Sequence, residues 1–370
     1  TDHDEDAIER KITLNNNFAH LEYKDTKINL IDTPGYAAFV SHARPALRVA
    51  DCALVVVDGV HGIEVQTEKT WQYANEFMLP RFMVINKLDK EHADFGHAID
   101  TARDSFARSI VPFTLPIGKE GEFRGVVDVV HQKAYEFDES GKAKEIPIPE
   151  TGRGLFEAAR ERLVELVAES DDALMEKYFE SGSLDDDEVI PNLAKAIANS
   201  KLCPVFAVSS SSLAGLQILL DHIVEFAPNP ATHEAEYGYA NAELSGDRIT
   251  RKYSSDEPFS AYVFRTIADP FAGRINVMKV VSGKIAADAT VQNTVRESAE
   301  RLGALHVIQG KTLEKIPEAA TGDIVAVVKL KETQTGDTLA DKNSPIVYPP
   351  VQYPEAAIAF AIEPRSRADE

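Results

Sequence analysis

One stretch decides the fold of this chain: Lys27-Ile28-Asn29-Leu30-Ile31-Asp32-Thr33-Pro34-Gly35-Tyr36. A short β-prone run ends in an acid, and the Pro-Gly pair then turns the backbone sharply before an amphipathic segment begins. In a parallel α/β sheet such a turn lies at the carboxyl edge, where ligands bind, and the runs ending in Asp58 and Asn86 are expected to open onto the same edge. Asp32 can hold a magnesium-bound water. Gly35 has no Cβ, so its backbone N–H can approach a terminal phosphate.

A second motif, Asn86-Lys87-Leu88-Asp89, follows the second apolar run after the opening stretch. The Asp89 carboxylate only accepts hydrogen bonds, so it can take the ring N–H and the exocyclic amine of guanine, a pair that adenine lacks. Asn86 can bridge to a neighbouring loop, and the stem of Lys87 can lie along the base. Each motif alone is more often a plain surface turn. Their order and spacing along the chain together indicate a guanine-nucleotide site.

Several segments resemble the GTPase domain of translational GTPases, and their order is most similar to that of elongation factor G. They are Asp-Thr-Pro-Gly at 32–35, the strand at 54–58, Gly-Ile-Glu-Val-Gln-Thr at 62–67, Asn-Lys-Leu-Asp at 86–89, Leu-Pro-Ile-Gly at 115–118, Phe-Arg-Gly-Val-Val-Asp at 123–128, Thr-Gly-Asp-Thr-Leu at 335–339 and Ala-Ile-Glu-Pro at 361–364. The later segments separate the chain from elongation factor Tu, which has no such insert. The resemblance covers nearly the whole chain.

We therefore predict an α/β fold: an incomplete, doubly wound parallel-sheet GTPase domain with an α+β insert, followed by an antiparallel β-barrel domain. The expected boundaries are residues 1–110 and 201–230 for the GTPase domain, 111–200 for the insert, 231–347 for the barrel, and 348–370 for the start of a truncated third domain. The resemblance also implies GTP or GDP and Mg²⁺ as cofactors, and the ribosome, both rRNA and ribosomal proteins, as partner.

Composition is consistent with this prediction. The 370 residues include 60 acidic and 39 basic side chains, for a net charge of −21, which argues against non-specific coating of nucleic acid. Cys52 and Cys203 both border apolar strands, so buried thiols in a reducing cytosol are expected. No apolar run is long enough for a membrane span. We predict a soluble, cytoplasmic monomer.

The resemblance requires a Gly-x-x-x-x-Gly-Lys-Ser/Thr loop around the β-phosphate, and nothing before Asp32 supplies it. Gly310-Lys311-Thr312 has the right tail, but Leu305 stands where the first glycine belongs, so we interpret it as a turn. We expect the sequence to be a fragment cut inside the first switch region. Such a fragment should bind guanine nucleotides weakly or not at all.

The opening segment at residues 9–14 resembles the family's Arg-Gly-Ile-Thr-Ile. The resemblance makes Thr13 the hydroxyl that ligates magnesium, while the alternative is that Thr13 simply starts a strand at 12–14. Lys11 replaces the family's glycine. Tyr36 replaces the family's histidine, which orients the attacking water. A tyrosine hydroxyl is neutral at working pH, so it can hydrogen-bond a water but cannot become a cation. Either Tyr36 slows stimulated hydrolysis or makes it use a rearranged geometry, or it is only a bulky turn residue.

Beyond Pro112, short strands and then Glu-rich helices indicate the insert. The acidic run at 185–188 invites a metal site, but a solvated helix start is the better explanation. Pro204 begins a return to the sheet, and Ser209 and Ser210 then stand where the family uses backbone N–H groups to contact the guanine oxygen. A helix N-cap in the serine run is a compatible structural role.

Past the linker at 228–230, short regularly spaced strands predict the closed antiparallel barrel. Lys279, Lys284, Lys329 and Lys331 can reach rRNA phosphates or can be ordinary surface lysines. A single strand is predicted at 357–361. The ten histidines show no paired metal-ligand spacing and no zinc signature.

Three function classes remain open. The first is a translocation-type ribosomal GTPase of the elongation factor G kind. The second is a ribosome-protection or ribosome-rescue relative that shares the same front half. The third is a slowly hydrolysing regulatory paralogue, which Lys11 and Tyr36 favour.

Overall fold

The structure is a computed structural model that describes residues 2–107, 109–269, 272–353, 360–361 and 363–364. The first region contains the elements α1 (Glu5–Arg10), β1 (Asn17–Tyr23), β2 (Thr26–Asp32), a 3₁₀ turn (Val40–His42), α2 (Ala43–Val49), β3 (Ala53–Asp58), α3 (Val65–Glu76), β4 (Arg81–Asn86), α4 (Phe95–Ser105) and β5 (Ile110–Pro112).

The alternating run at 18–23 predicts a strand that pairs with 27–31 as a hairpin, and the structure confirms this prediction. Strands β1 and β2 pair antiparallel along their full lengths, from Asn17 opposite Asp32 to Tyr23 opposite Thr26. The tight turn between them places Lys24 and Asp25 at positive φ, as a two-residue type I′ connection requires. Among the described strands the hairpin forms a two-stranded sheet of its own. The strand that ends in Asp32 is therefore not hydrogen-bonded into the parallel sheet.

The insert follows, and the chain then returns to the parallel sheet. The elements are β6 (Thr114–Ile117), a 3₁₀ turn (Glu120–Glu122), β7 (Gly125–Asp128), β8 (Lys133–Phe137), β9 (Ala143–Ile146), α5 (Arg153–Ala168), α6 (Asp172–Ser181), α7 (Asp186–Ala198), β10 (Cys203–Ala207) and α8 (Leu216–Phe226). Strands β6 to β9 form an antiparallel meander. The acidic run starts α7, where Asp185 and Glu188 form a reciprocal capping box.

The parallel sheet has the order β3-β4-β10-β5, and every neighbouring pair is parallel. One face packs Phe82 and Phe206 against helices α5, α7 and α8. The other face packs Met83 and Ile85 against α3 and α4, where Trp71 is buried and stacks on Phe106. With helices on both faces, the predicted doubly wound sheet is confirmed.

Strand β3 corrects one expectation. Its apolar run predicts burial on both faces. In the structure Leu54 is 42% exposed and Val56 is 59% exposed, whereas Val57 is buried. The reason is position, because β3 is the edge strand of the parallel sheet.

The second domain is antiparallel and β-rich, as predicted. It contains a 3₁₀ turn (Pro230–Thr232) and strands β11 (Glu236–Gly238), β12 (Ile249–Arg251), β13 (Ser260–Asp269), β14 (Gly273–Ser282), β15 (Lys284–Ala286), β16 (Thr290–Asn293), β17 (Ser298–Arg301), β18 (Leu305–Gln309), β19 (Thr312–Ile316), β20 (Glu318–Ala320), β21 (Ile324–Val328) and β22 (Thr338–Ala340). Eight of them form one sheet in the order β17-β16-β22-β13-β14-β21-β18-β19. Gly310 and Lys311 make the β18–β19 turn, as predicted.

The hairpin packs on this second domain. Phe18 is buried edge-on against Phe264, with ring centroids 5.8 Å apart. Its carbonyl accepts a 2.8 Å hydrogen bond from the Gly310 N–H, and the His20 N–H donates to Gln309 at 2.9 Å. Apolar and backbone contacts thus attach the strand pair that carries Asp32 to the antiparallel domain.

Neither alternative for Lys279, a contact to rRNA phosphates or an ordinary surface lysine, agrees with the structure. Lys279 is only 4% exposed, and its Nζ donates to the Val49 carbonyl at 2.7 Å and to Asp51 Oδ1 at 2.6 Å. It therefore ties β14 to the end of α2 and is not available to a phosphate. The other three candidate lysines are exposed.

Of the described helices, none has the length and apolarity needed to cross a membrane. Most of the strand predicted at 357–361 falls outside the described residues.

Candidate functional site

The carboxyl edge of the parallel sheet brings two distant loops together. Asp58 at the end of β3 is in register with Asn86 at the end of β4. Ala207 at the end of β10 is in register with Ile85. The chain therefore leaves β4 and β10 at the same edge. We call Asn86, Lys87, Asp89, Ser209 and Ser210 the base corner.

Asn86 bridges the two loops, as the sequence predicts. Its amide nitrogen donates to Ser210 Oγ at 3.1 Å, and its Oδ1 accepts from the Ser210 N–H at 2.9 Å. The same Oδ1 accepts from the N–H of Lys87 at 2.8 Å. One side chain thus fixes the backbone of both loops.

Asp89 is positioned from the other loop. Ser209 is fully buried, and its hydroxyl donates to Asp89 Oδ1 at 2.7 Å while accepting from the Ser212 N–H at 3.2 Å. Lys90 pairs with Asp89 Oδ2 at 2.8 Å. Desolvation pushes the pKa of Asp89 upward, but the hydrogen bonds from Lys90 and Ser209 outweigh it, so the pKa lies below its usual range. The carboxylate is ionised at neutral pH and acts only as an acceptor.

The two serines correct one detail of the prediction, which makes their backbone N–H groups donors to the base. In the structure the Ser209 N–H donates to the Ala214 carbonyl at 3.0 Å, and the Ser210 N–H donates to Asn86. A base oxygen has to compete with Asn86 for the Ser210 N–H. The Ser209 side chain instead orients Asp89.

Asp58 has a role that the sequence did not assign. The Nζ of Lys87 donates to Asp58 Oδ2 at 2.7 Å, and Lys87 itself has φ 63°. Desolvation raises the pKa of Asp58, but the hydrogen bonds from Lys87 and Val60 lower it by more. The pKa of Asp58 therefore lies below its usual value. Asp58 therefore holds the lysine across the edge. The available signal was an acid at the end of a neighbouring strand, the same signal that marked Asp32.

The predicted phosphate-side residues lie on and after the hairpin. Asp32 ends β2, opposite Asn17. A Cβ added at Gly35 meets nothing within 4 Å, so the backbone there is open to approach. Tyr36 is 60% exposed, and its carbonyl accepts from the Phe39 N–H at 2.9 Å. The hydrogen bonds that assemble the base corner do not involve these three residues.

Thr13 is not in a strand, so the alternative that it starts one at 12–14 is wrong. Its hydroxyl donates to Asp2 Oδ2 at 3.0 Å. Lys11 caps α1 with φ 54° and ψ 39°, a left-handed conformation that glycine adopts without strain. Lys11 therefore holds, at a steric cost, a backbone conformation that glycine would adopt freely.

The chain fits a guanine nucleotide in part. The base corner presents an ionised, oriented carboxylate beside a lysine stem, which supplies the acceptor that the two N–H donors of guanine need. For Mg²⁺, Asp32 and Thr13 supply oxygen atoms of the preferred kind. The Gly-x-x-x-x-Gly-Lys-Ser/Thr pattern is not in the 370-residue sequence, so we derive no step at the phosphates.

Comparison with known proteins agrees with this geometry. A family model described as the elongation factor Tu GTP binding domain matches residues 1–229. A second, described as elongation factor G domain 2, matches residues 258–342.

A crystal structure of a protein from Thermus thermophilus superimposes with a TM-score of 0.85 at 29% sequence identity. The match covers 100% of this chain and 52% of the other, so the chain spans about half the length of that protein. With a GTP-binding domain over more than half of its length and an elongation factor G domain behind it, the chain belongs to the translational GTPases and is of the elongation factor G type.

Proposed function

We propose that the chain binds guanine nucleotides through the base corner and works in translation as a factor of the elongation factor G type. In this role GTP hydrolysis on the ribosome drives a translocation-like conformational change. The observation that carries the proposal is the paired positioning of Asn86 by Ser210 and of Asp89 by Ser209. The proposal includes Mg²⁺ as cofactor and a monomer acting in the cytoplasm.

The chemistry of the corner favours guanine over adenine. Each carboxylate oxygen of Asp89 has lone pairs left after accepting from Ser209 and Lys90. Guanine offers two N–H donors on one edge, whereas adenine presents an acceptor and no matching pair. A hydrogen bond to a charged group is worth about 1.5–3 kcal/mol, so losing one costs roughly 10- to 100-fold in affinity.

The packing of the hairpin supports the conformational part of the proposal. Asp32 and Gly35, which would face Mg²⁺ and the terminal phosphate, follow a strand pair attached to the antiparallel domain through Phe18 and His20. The segment after them leads into α2, which Lys279 ties to the same domain. A change at the phosphate side therefore has a direct path into the second domain.

The test uses ligand-observed NMR, which detects weak binding, with GMP, AMP and XMP on the 370-residue chain. GMP should bind in preference to AMP. Asp89→Asn should weaken GMP by about 10- to 100-fold. The variant should also gain XMP, because an amide N–H can donate to the carbonyl that replaces guanine's amine. The matched control is Asp104→Asn on the exposed side of α4. Equal binding of GMP and AMP, or an unchanged preference in Asp89→Asn, would contradict the proposal.

Tyr36 favours a second candidate function, a slowly hydrolysing regulatory paralogue. Its exposed phenol cannot carry the positive charge that a histidine can. Tyr36→His should raise the ribosome-stimulated GTP turnover of the protein. An unchanged turnover would remove any special role for Tyr36.

The ribosome-protection or rescue function is the third candidate. The base corner is equally compatible with it, because the same nucleotide site serves both functions. Translocation measured directly on ribosomes, by the movement of messenger RNA after addition of the protein with GTP, distinguishes them. Turnover without movement would favour protection or rescue.

A further inference from the structure

A cluster of metal-ligating side chains lies outside the base corner, where the insert meets α8. Asp128 ends β7, His131 lies in the turn before β8, and His222 lies within α8. Asp128 Oδ2 is 2.9 Å from His131 Nδ1 and 3.1 Å from His222 Nε2. Two imidazoles from distant parts of the chain thus converge on one carboxylate oxygen.

The cluster is buried and oriented. Asp128 is 3% exposed and His222 is 1% exposed, while the side chain of His131 is 30% exposed and leaves one side accessible. Asp128 Oδ1 accepts from the N–H groups of Val130 and His131, at 2.9 and 3.0 Å, which fixes the carboxylate. The His222 ring packs among aromatic rings, including those of Phe113 and Phe226.

The two carboxylates around His131 place a positive charge on its imidazole ring. His131 Nδ1 faces Asp128, and its Nε2 is 3.2 Å from Glu225 Oε2. Carboxylates only accept, so His131 must carry protons on both ring nitrogens to bond both partners. His222 Nε2 bonds the same Asp128 carboxylate, so it also carries a proton. Metal binding therefore displaces two protons: His131 releases its Nδ1 proton to solvent, and His222 moves its Nε2 proton to Nδ1, so that both rings bind as neutral ligands.

We propose that Asp128 Oδ2, His131 Nδ1 and His222 Nε2 form a three-ligand site for a divalent transition metal of the Zn²⁺ type. These three atoms lie within 4.8 Å of one another. Ligands about 2.0–2.1 Å from a tetrahedral ion are about 3.3 Å apart. The two short contacts therefore have to open by a few tenths of an ångström, and the two imidazole nitrogens have to come to about the same separation. The fourth ligand would be a water, which can enter because the side chain of His131 is partly exposed.

Glu225 completes the arrangement. Once Nδ1 of His131 binds metal, its Nε2–H donates to Glu225, the carboxylate–histidine–metal pattern that orients metal ligands. Nδ1 of His222 meets no hydrogen-bond partner in the described part of the chain. A metal-binding histidine without such a partner typically lowers the metal affinity of its site by about 10- to 100-fold. The bound metal would join the β7–β8 turn to α8, and so join the insert to the nucleotide-binding sheet.

The first experiment adds Co²⁺ to the metal-free 370-residue chain and records the visible absorption of four-coordinate cobalt. One equivalent should produce the band, and Zn²⁺ should displace it. Zn²⁺ at about 100 times its dissociation constant should also raise the melting temperature by about 5 °C. Absence of the cobalt band at neutral pH would show that the cluster is only an ion-paired staple, which would overturn the proposal.

Three variants locate the metal. His222→Asn and His131→Gln should abolish the band, while Glu225→Gln should keep it with affinity lowered about 10- to 100-fold. His131 is partly exposed, so its variant keeps the test valid if His222→Asn fails to fold. The control is His92→Gln, whose side chain is 81% exposed and which should behave as the parent chain does. A band that survives His131→Gln, or that His92→Gln removes, would place the metal elsewhere and overturn the proposal.

Discussion

The base corner and the phosphate-side segment are built in different ways. In the base corner, hydrogen bonds join the loop after β4 to the loop after β10, so the parallel sheet itself positions every member. The phosphate-side segment, residues 32–36, follows a hairpin that packs on the antiparallel domain. One region is fixed within a domain, and the other is held between two domains.

This difference suits two tasks. Reading a base requires donors and acceptors that stay in place, so internal bonding is an advantage. Sensing a phosphate requires a segment whose position affects something distant, so attachment to a second domain is an advantage. Variants of the two regions should therefore have separable effects.

The largest effect is expected from Phe18→Ala. It removes a buried ring that packs on Phe264 and should cost about 3–5 kcal/mol. Urea unfolding measures the loss, and hydrogen exchange should rise in β1 and β2. Binding of GMP should not change, because the base corner does not contact Phe18. The control is Phe179→Ala, where the ring is 79% exposed. Loss of GMP binding in Phe18→Ala would show that the two regions are not separable.

The next largest effect is expected from Asp51→Asn, which should lower the free energy of unfolding by about 3 kcal/mol. The change leaves Lys279 buried with the Val49 carbonyl but without its anion. Urea unfolding again gives the value, and adding Lys279→Met should recover most of it, because the unpaired charge is then gone. Lys284→Met, at an exposed lysine, is the matched control. If the double variant were no more stable than Asp51→Asn, the loss of stability would not come from the unpaired charge of Lys279.

Ser209→Ala tests the base corner directly. It leaves Asp89 Oδ1 and the Ser212 N–H without their buried partner, and should cost about 1–2 kcal/mol. GMP affinity by NMR should fall about 10-fold, while exchange in the hairpin should stay the same. Ser211→Ala is the control, because Ser211 is exposed in the same loop. Equal effects of the two variants would mean that the Asp89 contact does not matter.

The smallest effect is expected from Lys11→Gly. The left-handed backbone at Lys11 strains a side chain with a Cβ, so glycine should stabilise the end of α1 by about 0.5–1 kcal/mol. Amide hydrogen exchange of residues 5–12 measures this change in the stability of α1. Glu9→Gly, inside the same helix, should act in the opposite direction. If both variants loosened α1, the strain at Lys11 would not be real.

Local patterns predicted most of the fold. The alternation in β1, the buried runs of β4 and β10, and the capping acids of α7 depend on neighbours close in sequence. The prediction that β3 is buried on both faces was wrong, because an edge strand and a central strand can have the same apolar sequence. The sequence also identified the members of the base corner, but not the Lys87–Asp58 pair or the hydrogen bonds that occupy the serine N–H groups.

The sequence by itself determined which segments form strands and helices, where the Asn-Lys-x-Asp loop falls, and which carboxylate in that loop can accept from the two N–H donors of guanine. These properties follow from side-chain periodicity and from the donors and acceptors of single residues. Only the tertiary structure decided that Lys279 is buried beside Asp51, that the hairpin packs on the second domain, and that His131 and His222 meet at Asp128. Those contacts join residues far apart along the chain, and their energies depend on burial and distance, which no local pattern contains.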